Sequence, residues 1–324
     1  MIAMLDMHPS NASETRHHAS PFPAGRCFAA ETVGCRLQQT LRRGRVAAIF
    51  DKACVVEMAD GGVVAVLASD VGNVAHGMRI VDYGELRRNL RTGIATVLDG
   101  TALIFNDGEA AVTFARARIW RSRFRLGMAK PNFCAVNADQ RLRYLLSQHG
   151  ASSGSEFLAA TLSRGSRTTE LAAWLAAALP HLALATQKRE PDAALASLRR
   201  LIGLGPGLTP AGDDFIVGWL AGLALTAQSH EDLVFVRAMA AGIGSMSEAT
   251  TAVSRQHIAD ACAFEFSERL SDLCIALCER ASLPILLESR LALQFAVGAT
   301  SGADAAAGLA FALRVCASQS PTYS

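Results

Sequence analysis

Residues 203–214 read Gly-Leu-Gly-Pro-Gly-Leu-Thr-Pro-Ala-Gly-Asp-Asp, a glycine-dense loop that runs into an apolar helical pattern and ends on two adjacent carboxylates. Glycines let backbone N–H groups come close to a ligand. Thr209 is expected to cap the helix, with Pro210 at its first position, where a missing donor costs nothing. The loop would then present the positive end of a helix to an anion held at Gly205, Gly207, Thr209 and Gly212. The plain alternative is a tight turn with an ordinary cap, but three alternating glycines followed by Gly212 and Asp213-Asp214 exceed what a turn requires.

A second segment, Gly298 to Gly308, echoes the first. Asp follows Thr by four residues in both, Thr209 to Asp213 and Thr300 to Asp304, and Asp precedes Gly by four, Asp214 to Gly218 and Asp304 to Gly308. Ser301 with Asp304 also fits a capping box, which would make part of this segment structural. Between the two lies Ser245 to Ser254, a hydroxyl-rich stretch leading into another helix, for which capping by Thr250 or Thr251 is the plain reading. If the three helix starts converge, Thr250, Thr251, Ser254, Thr300, Ser301 and Gly302 join the loop as anion donors. Asp213, Asp214 and Asp304 would stand opposite as the catalytic carboxylates, to act as a base or hold a substrate amino group. Asp213 and Asp214 could also hold Mg²⁺. His257, and Asn73 and His76 in a loop of the β-rich part, are weaker candidates for bordering the site. No Gly-x-Ser-x-Gly elbow and no phosphate loop ending in Gly-Lys-Ser/Thr occurs.

The elements that must position these residues fall into two kinds. Short β-branched runs separated by turns fill the stretch from Arg45 to about Ile119: 46–50, 53–58, 63–67, 94–98, 102–105 and 111–114. Asp60-Gly61-Gly62 and Asn106-Asp107-Gly108 are hairpin signals, so antiparallel pairing in a small barrel or sandwich is expected. After Pro131 the chain turns to alanine- and leucine-rich helical periodicity, in segments that include 138–149, 168–179, 210–227, 253–266 and 303–315. Phe215 to Leu223 is apolar all round, as a central helix is, and Gly218 and Gly222 would open a smooth face on it. The expected fold class is therefore α+β: a disordered leader at 1–26, a small antiparallel β domain at 27–130, and a larger helical domain at 131–324 that carries the glycine motif.

With 324 residues, half of them apolar, the chain can bury a substantial core. A formal charge of +2, with only scattered arginines between Arg116 and Arg125, gives no support for nucleic-acid binding. No run approaches the roughly twenty apolar residues of a membrane span, the Leu171 to Leu184 stretch being broken by Pro180. The eight cysteines form no metal-type pair and read as buried free thiols of a cytoplasmic protein.

At the glycine loop the chain resembles a bacterial domain-of-unknown-function family with the hallmark Gly-Leu-Gly-Pro-Gly-Leu-Thr-Pro-x-Gly-Asp-Asp (here Gly203 to Asp214). Thr-Thr-x-x-Ser (Thr250 to Ser254) and Thr-Ser-Gly-x-Asp (Thr300 to Asp304) follow it. That family is similar to the H-type subunit of the oxamate carbamoyltransferase of anaerobic allantoin degradation, found beside an FdrA-like subunit and a further partner. The resemblance runs from about residue 27 onward and leaves out the His-rich leader. It implies carbamoyl transfer between a small amide or ureido compound and phosphate in purine-nitrogen catabolism. The phosphoryl group would sit on Gly205 to Gly207, with Thr250, Thr251, Ser254 and Thr300 on its oxygens. The competing reading is a non-catalytic subunit that senses an oxyanion metabolite while a partner carries the chemistry. A third, which nucleotide binding would favour, is a stand-alone kinase-like or acyl-transfer enzyme.

Overall fold

The β-branched runs close into a barrel. In the computed structural model, which describes residues 25–37, 40–129, 133–149, 155–162, 170–279 and 284–318, strands β1 (Arg26–Gly34), β2 (Arg42–Ile49), β3 (Ala53–Met58) and β4 (Val63–Ala68) are followed by β5 (Gly77–Ile80) and a short helix α1 (Tyr83–Arg88). Then come β6 (Ala95–Leu98), β7 (Ala102–Phe105), β8 (Ala110–Thr113) and β9 (Arg118–Trp120). The sheet order is β5-β4-β3-β2-β6-β7-β8-β1, and a β5–β1 pairing closes it into eight strands. Residues 1–24 of the expected leader lie outside the described residues.

Alternation fills the barrel: Cys54, Val56 and Met58, then Val64 and Val66, then Leu103 and Phe105 are all buried in one apolar cluster. Tyr83 and Leu86 of α1 join it. Both expected hairpins form, β3–β4 and β7–β8. The pairing is not wholly antiparallel, since β4–β5 and β1–β8 run parallel, and β9 takes the second half of β1 where β8 takes the first. β1 and β5 escaped the pattern reading because the first carries Arg, Glu and two Ala among its nine residues and the second is only four long.

The helical region follows: α2 (Ala135–His149), α3 (Glu156–Thr161), α4 (Glu170–Gln187), α5 (Pro191–Arg199), α6 (Ala211–Thr226), α7 (His230–Met246), α8 (Ala252–Cys262), α9 (Glu268–Cys278), α10 (Pro284–Phe295) and α11 (Ser301–Ala317). It has an apolar cluster of its own, with Phe215, Trp219 and Phe311 among its members. Pro180 does not break α4. It sits exposed inside the helix while Leu175, Leu179 and Leu182 on the buried side hold both halves in the core, so packing outweighs the lost backbone bond. No helix among the described residues is long and apolar enough to cross a membrane. The thiols are free, but only Cys54 and Cys274 are fully buried, and Cys27 and Cys134 are exposed.

Helices α6 and α11 are buried along nearly their whole length and cross at their glycines. A Cβ built on Gly218 would lie 1.8 Å from the Ala305 carbonyl oxygen, and one on Gly308 would lie 2.0 Å from that of Phe215. Gly222 stands against the Ala312 methyl in the same way, at 2.6 Å. The smooth face is thus taken by a helix. Because backbone cannot yield as a side chain can, Gly308→Val is expected to cost about 3 kcal/mol of overpacking. Gly84→Ala, where nothing lies within 4 Å of the new methyl, is the neutral comparison, and urea denaturation of the two checks this.

Candidate functional site

Leu201 to Pro210 leave α5 and turn into α6 through three glycines with positive φ: Gly203 at 72°, Gly205 at 115° and Gly207 at 96°. Only glycine adopts these angles freely, so the alternation in the sequence is the conformation of the loop. The loop is tied at both ends. Gly203 N–H donates to Asp213 Oδ1 at 2.8 Å, and Gly212 N–H donates to the Leu204 carbonyl at 2.9 Å. Among the described residues the amides of Gly205, Gly207 and Leu208 have no acceptor.

The three helix starts do converge here, although not with the caps expected. Pro210 is the N-cap of α6 and has no polar side-chain atom to cap with, and the Thr209 hydroxyl meets Ser301 Oγ at 2.8 Å instead. Thr300 is the N-cap of α11, and the Ser301–Asp304 capping box does not form, Ser301 being drawn to Thr209. Only α8 starts as read: Thr251 Oγ1 accepts from Ser254 N–H at 3.1 Å and itself donates to the Leu208 carbonyl at 2.5 Å, clasping the glycine loop.

Nor do hydroxyls and carboxylates stand on opposite sides. Two acids of the cluster take hydroxyl bonds, Asp213 Oδ2 from Thr250 and Asp304 Oδ1 from Ser155 at 2.5 Å, while the Thr209 and Ser301 hydroxyls, bonded to each other, stand beside Asp214. A hydroxyl has one proton to give. Those given to the acids are therefore not available to an anion, and the donors that remain are backbone amides and Ser254, whose hydroxyl has no partner among the described residues. Gly212 and Gly302 are likewise committed: the Gly302 amide donates to the Val297 carbonyl, and Cβ atoms on the two would lie 2.0 Å and 1.9 Å from backbone oxygens. Ser155, at the start of α3, gave no signal in the sequence, because it meets Asp304 only through the fold.

Asp213, Asp214 and Asp304 are all buried, and Oδ2 of both Asp214 and Asp304 has no partner among the described residues. Burial pushes the Asp214 carboxyl well above the usual carboxylate range; the Ser301 bond opposes this, and the neighbouring Asp304 and Asp213 charges add to it. Burial raises Asp304 too, against its bonds from Ser155 and Thr300. Asp213 has both oxygens occupied and acts as a strut between the loop and Thr250. Among the described residues no group of three or more His, Cys, Asp or Glu is arranged to hold a metal ion, so the expected Mg²⁺ pair gains no further ligand.

The weaker candidates also come together. Asn73 lies between Thr32 and Glu268, and His76 lies against His257, with ring centroids 5.1 Å apart, and bonds Asp260. Asp260 and Arg36 were missed, since neither stands in a motif; the one cue was that Asp260 follows His257 by one helical turn.

Residues 201–313 match the family model for oxamate carbamoyltransferase subunit AllH. The matched region resembles that H subunit, running from the glycine loop through most of α11, and includes all three helix starts but none of the barrel. No curated protein and no solved structure matches the chain.

The raised carboxyls have a consequence for stability. A carboxyl that keeps its proton in the fold contributes stability in full below its unfolded pKa, about 4, and that stability is lost as pH rises through the folded value. Stability is therefore expected to fall from pH 4 upward on account of Asp214 and Asp304. Asp214→Asn and Asp304→Asn should flatten the fall, and urea titrations at a series of pH values measure it.

Proposed function

We propose that this chain is a subunit related to oxamate carbamoyltransferase, and that its glycine loop and adjoining helix starts bind the oxyanion of a small metabolite, phosphate or carbamoyl phosphate. The observation that carries the reading is that the region resembling the H subunit contains the three segments whose helix starts meet at the site: residues 203–214, 250–254 and 300–304. The idle amides of Gly205, Gly207 and Leu208 would take the phosphate oxygens, with the start of α8 behind them. Burial raises the Asp214 and Asp304 carboxyls and so favours the protonated forms, which offer O–H groups to the bound oxyanion. The chemistry of carbamoyl transfer would then depend on positioning and on stabilising charge at the phosphate. As a subunit the chain would act with partner chains, an FdrA-like subunit among them, on an amide or ureido compound of allantoin breakdown in the cytoplasm.

The test is the melting temperature of the purified chain with phosphate, carbamoyl phosphate, oxamate and ATP, each with and without Mg²⁺. A ligand at a hundredfold excess over its Kd stabilises the native state by about 2.7 kcal/mol. Phosphate and carbamoyl phosphate are expected to raise the melting temperature. Gly207→Ala, whose methyl meets no atom but must adopt a φ of 96°, is expected to lower its own baseline and to abolish the ligand shift. A shift that persists in this variant would move the ligand elsewhere. Full carbamoyl transfer by the partners without this chain would favour the metabolite-sensing reading.

A further inference from the structure

Helix α2 carries Asp139 and Arg143 one turn apart, and it packs along α11, whose last turn carries Arg314. The three side chains make one charged group. Asp139 feels the charges of Arg143 and Arg314, and Arg314 feels those of Arg143 and Asp139, with no other ionisable group of the described residues acting on either. Asp139 is buried, at 7% exposure, whereas the Arg143 side chain is 36% exposed and Arg314 is half-buried. The group is therefore closed at the carboxyl and open to solvent at the guanidiniums.

A structural ion triad closes its hydrogen bonds, and this one does not. Arg143 Nη1 stands 4.0 Å from Asp139 Oδ2, beyond hydrogen-bond distance. Asp139 Oδ1 and Arg143 Nε are buried without a partner, and the Arg314 guanidinium makes no hydrogen bond to any described residue. Burial pushes Arg314 below its ordinary value, with the Arg143 charge adding to this and Asp139 opposing it. The last turn of α11 suits one cation, but that accounts neither for the second guanidinium beside it nor for the orphaned carboxyl oxygen. Water can complete a hydrogen bond but brings no charge. Two guanidiniums against one carboxyl leave at least one positive charge uncompensated where burial makes charge costly.

We propose that Asp139, Arg143 and Arg314 form a second oxyanion site, which takes a small carboxylate or phosphate metabolite between the two guanidiniums. Guanidinium forks bind the paired oxygens of such groups. Burial raises the Asp139 carboxyl toward its protonated form, which donates to an anion where the ionised form opposes it. The site is separate from the glycine loop, since Arg314 lies ten residues beyond Asp304 on α11, about 15 Å along the helix. All three residues fall outside the stretch 201–313 that matches the family model.

The test is an NMR titration of the full chain with inorganic phosphate and with oxamate, at an ionic strength held constant with chloride, reading the side-chain Nε–H signals of Arg143 and Arg314. Both signals are expected to move and to saturate, and to stay still in chloride alone. Arg314→Gln should raise the Kd read at Arg143 at least about tenfold, whereas Asp139→Asn, which removes the opposing charge, should lower it. Gly207→Ala in the glycine loop should leave the response as it is. So should Arg118→Gln, which removes an exposed charge from the barrel; a loss there equal to that in Arg314→Gln reduces the effect to general charge and overturns the proposal. Signals that fail to saturate, or that chloride moves as far, overturn it in the wild-type chain whatever the variants do. Movement only on adding the partner subunits also overturns it, and assigns a partner's carboxylate to the guanidiniums instead.

Discussion

Where α6 crosses α11, a carbonyl oxygen of one helix occupies the space in which any other residue of its partner would carry a side chain, at Gly218 and again at Gly308. The rest of the candidate site depends on that closeness. Asp214 lies four residues before Gly218, and Asp304 four before Gly308. In a helix, residues four apart share a face, so the face that lets the two backbones touch also carries a carboxyl one turn toward the start of each helix. The echo between the two segments is therefore a packing rule and a chemical arrangement together. Thr209 can reach Ser301 because the two stand at the starts of helices whose axes are held at the distance glycine permits.

Burying acids beside a loop suited to anions looks self-defeating until the magnitudes are compared. A helix start favours a carboxylate by up to about 2 kcal/mol in partly buried settings, and a hydroxyl bond to a charged group adds about 1.5–3 kcal/mol. Removing an ionised carboxylate from water costs several kcal/mol, and neighbouring like charge adds to that. For Asp214, with Asp213 and Asp304 close by, the balance falls on the side of the proton. A protonated acid does not repel an oxyanion. Burial thus reduces the negative charge that an arriving anion meets at Asp214. Asp213 differs because a backbone amide and Thr250 each occupy one of its oxygens, so its work is to hold the loop against α8.

Local signals told most of the fold and the outline of the site. The β-branched runs of β3, β4 and β7, the glycine turns between strands and the alanine-rich periodicity beyond residue 131 each act over a few residues, and each gave the right element. What failed was what depends on distant partners. β1 is a strand because β5, β8 and β9 pair with it, not because its own residues favour one. The caps of α6 and α11 were misassigned because Thr209 and Ser301 are claimed by each other across 92 residues. The same holds for Ser155 with Asp304 and for His76 with Asp260. The two glycine segments were legible because positive φ and close backbone approach leave a mark on residue type, whereas a hydrogen bond between ordinary polar residues leaves none.

The barrel and the helices keep separate apolar cores, so the seam between them is held by polar contacts. Asn73 exchanges hydrogen bonds with Glu268, Ser122 bonds Ser271, Arg123 pairs with Asp272, and Arg36 and His76 converge on Asp260. Apolar contact tolerates sliding by a fraction of a residue, whereas hydrogen bonds do not, because their strength falls steeply with misalignment. Such a seam fixes the register of α8 and α9 on the barrel. At its other end α8 is fixed again, through Thr251 on the Leu208 carbonyl and through Thr250 on Asp213. A helix held at both ends by directional bonds fixes how far the glycine loop stands from Asp260 at the seam. The barrel, although outside the family match, is thereby held in register with the helix whose start clasps the glycine loop.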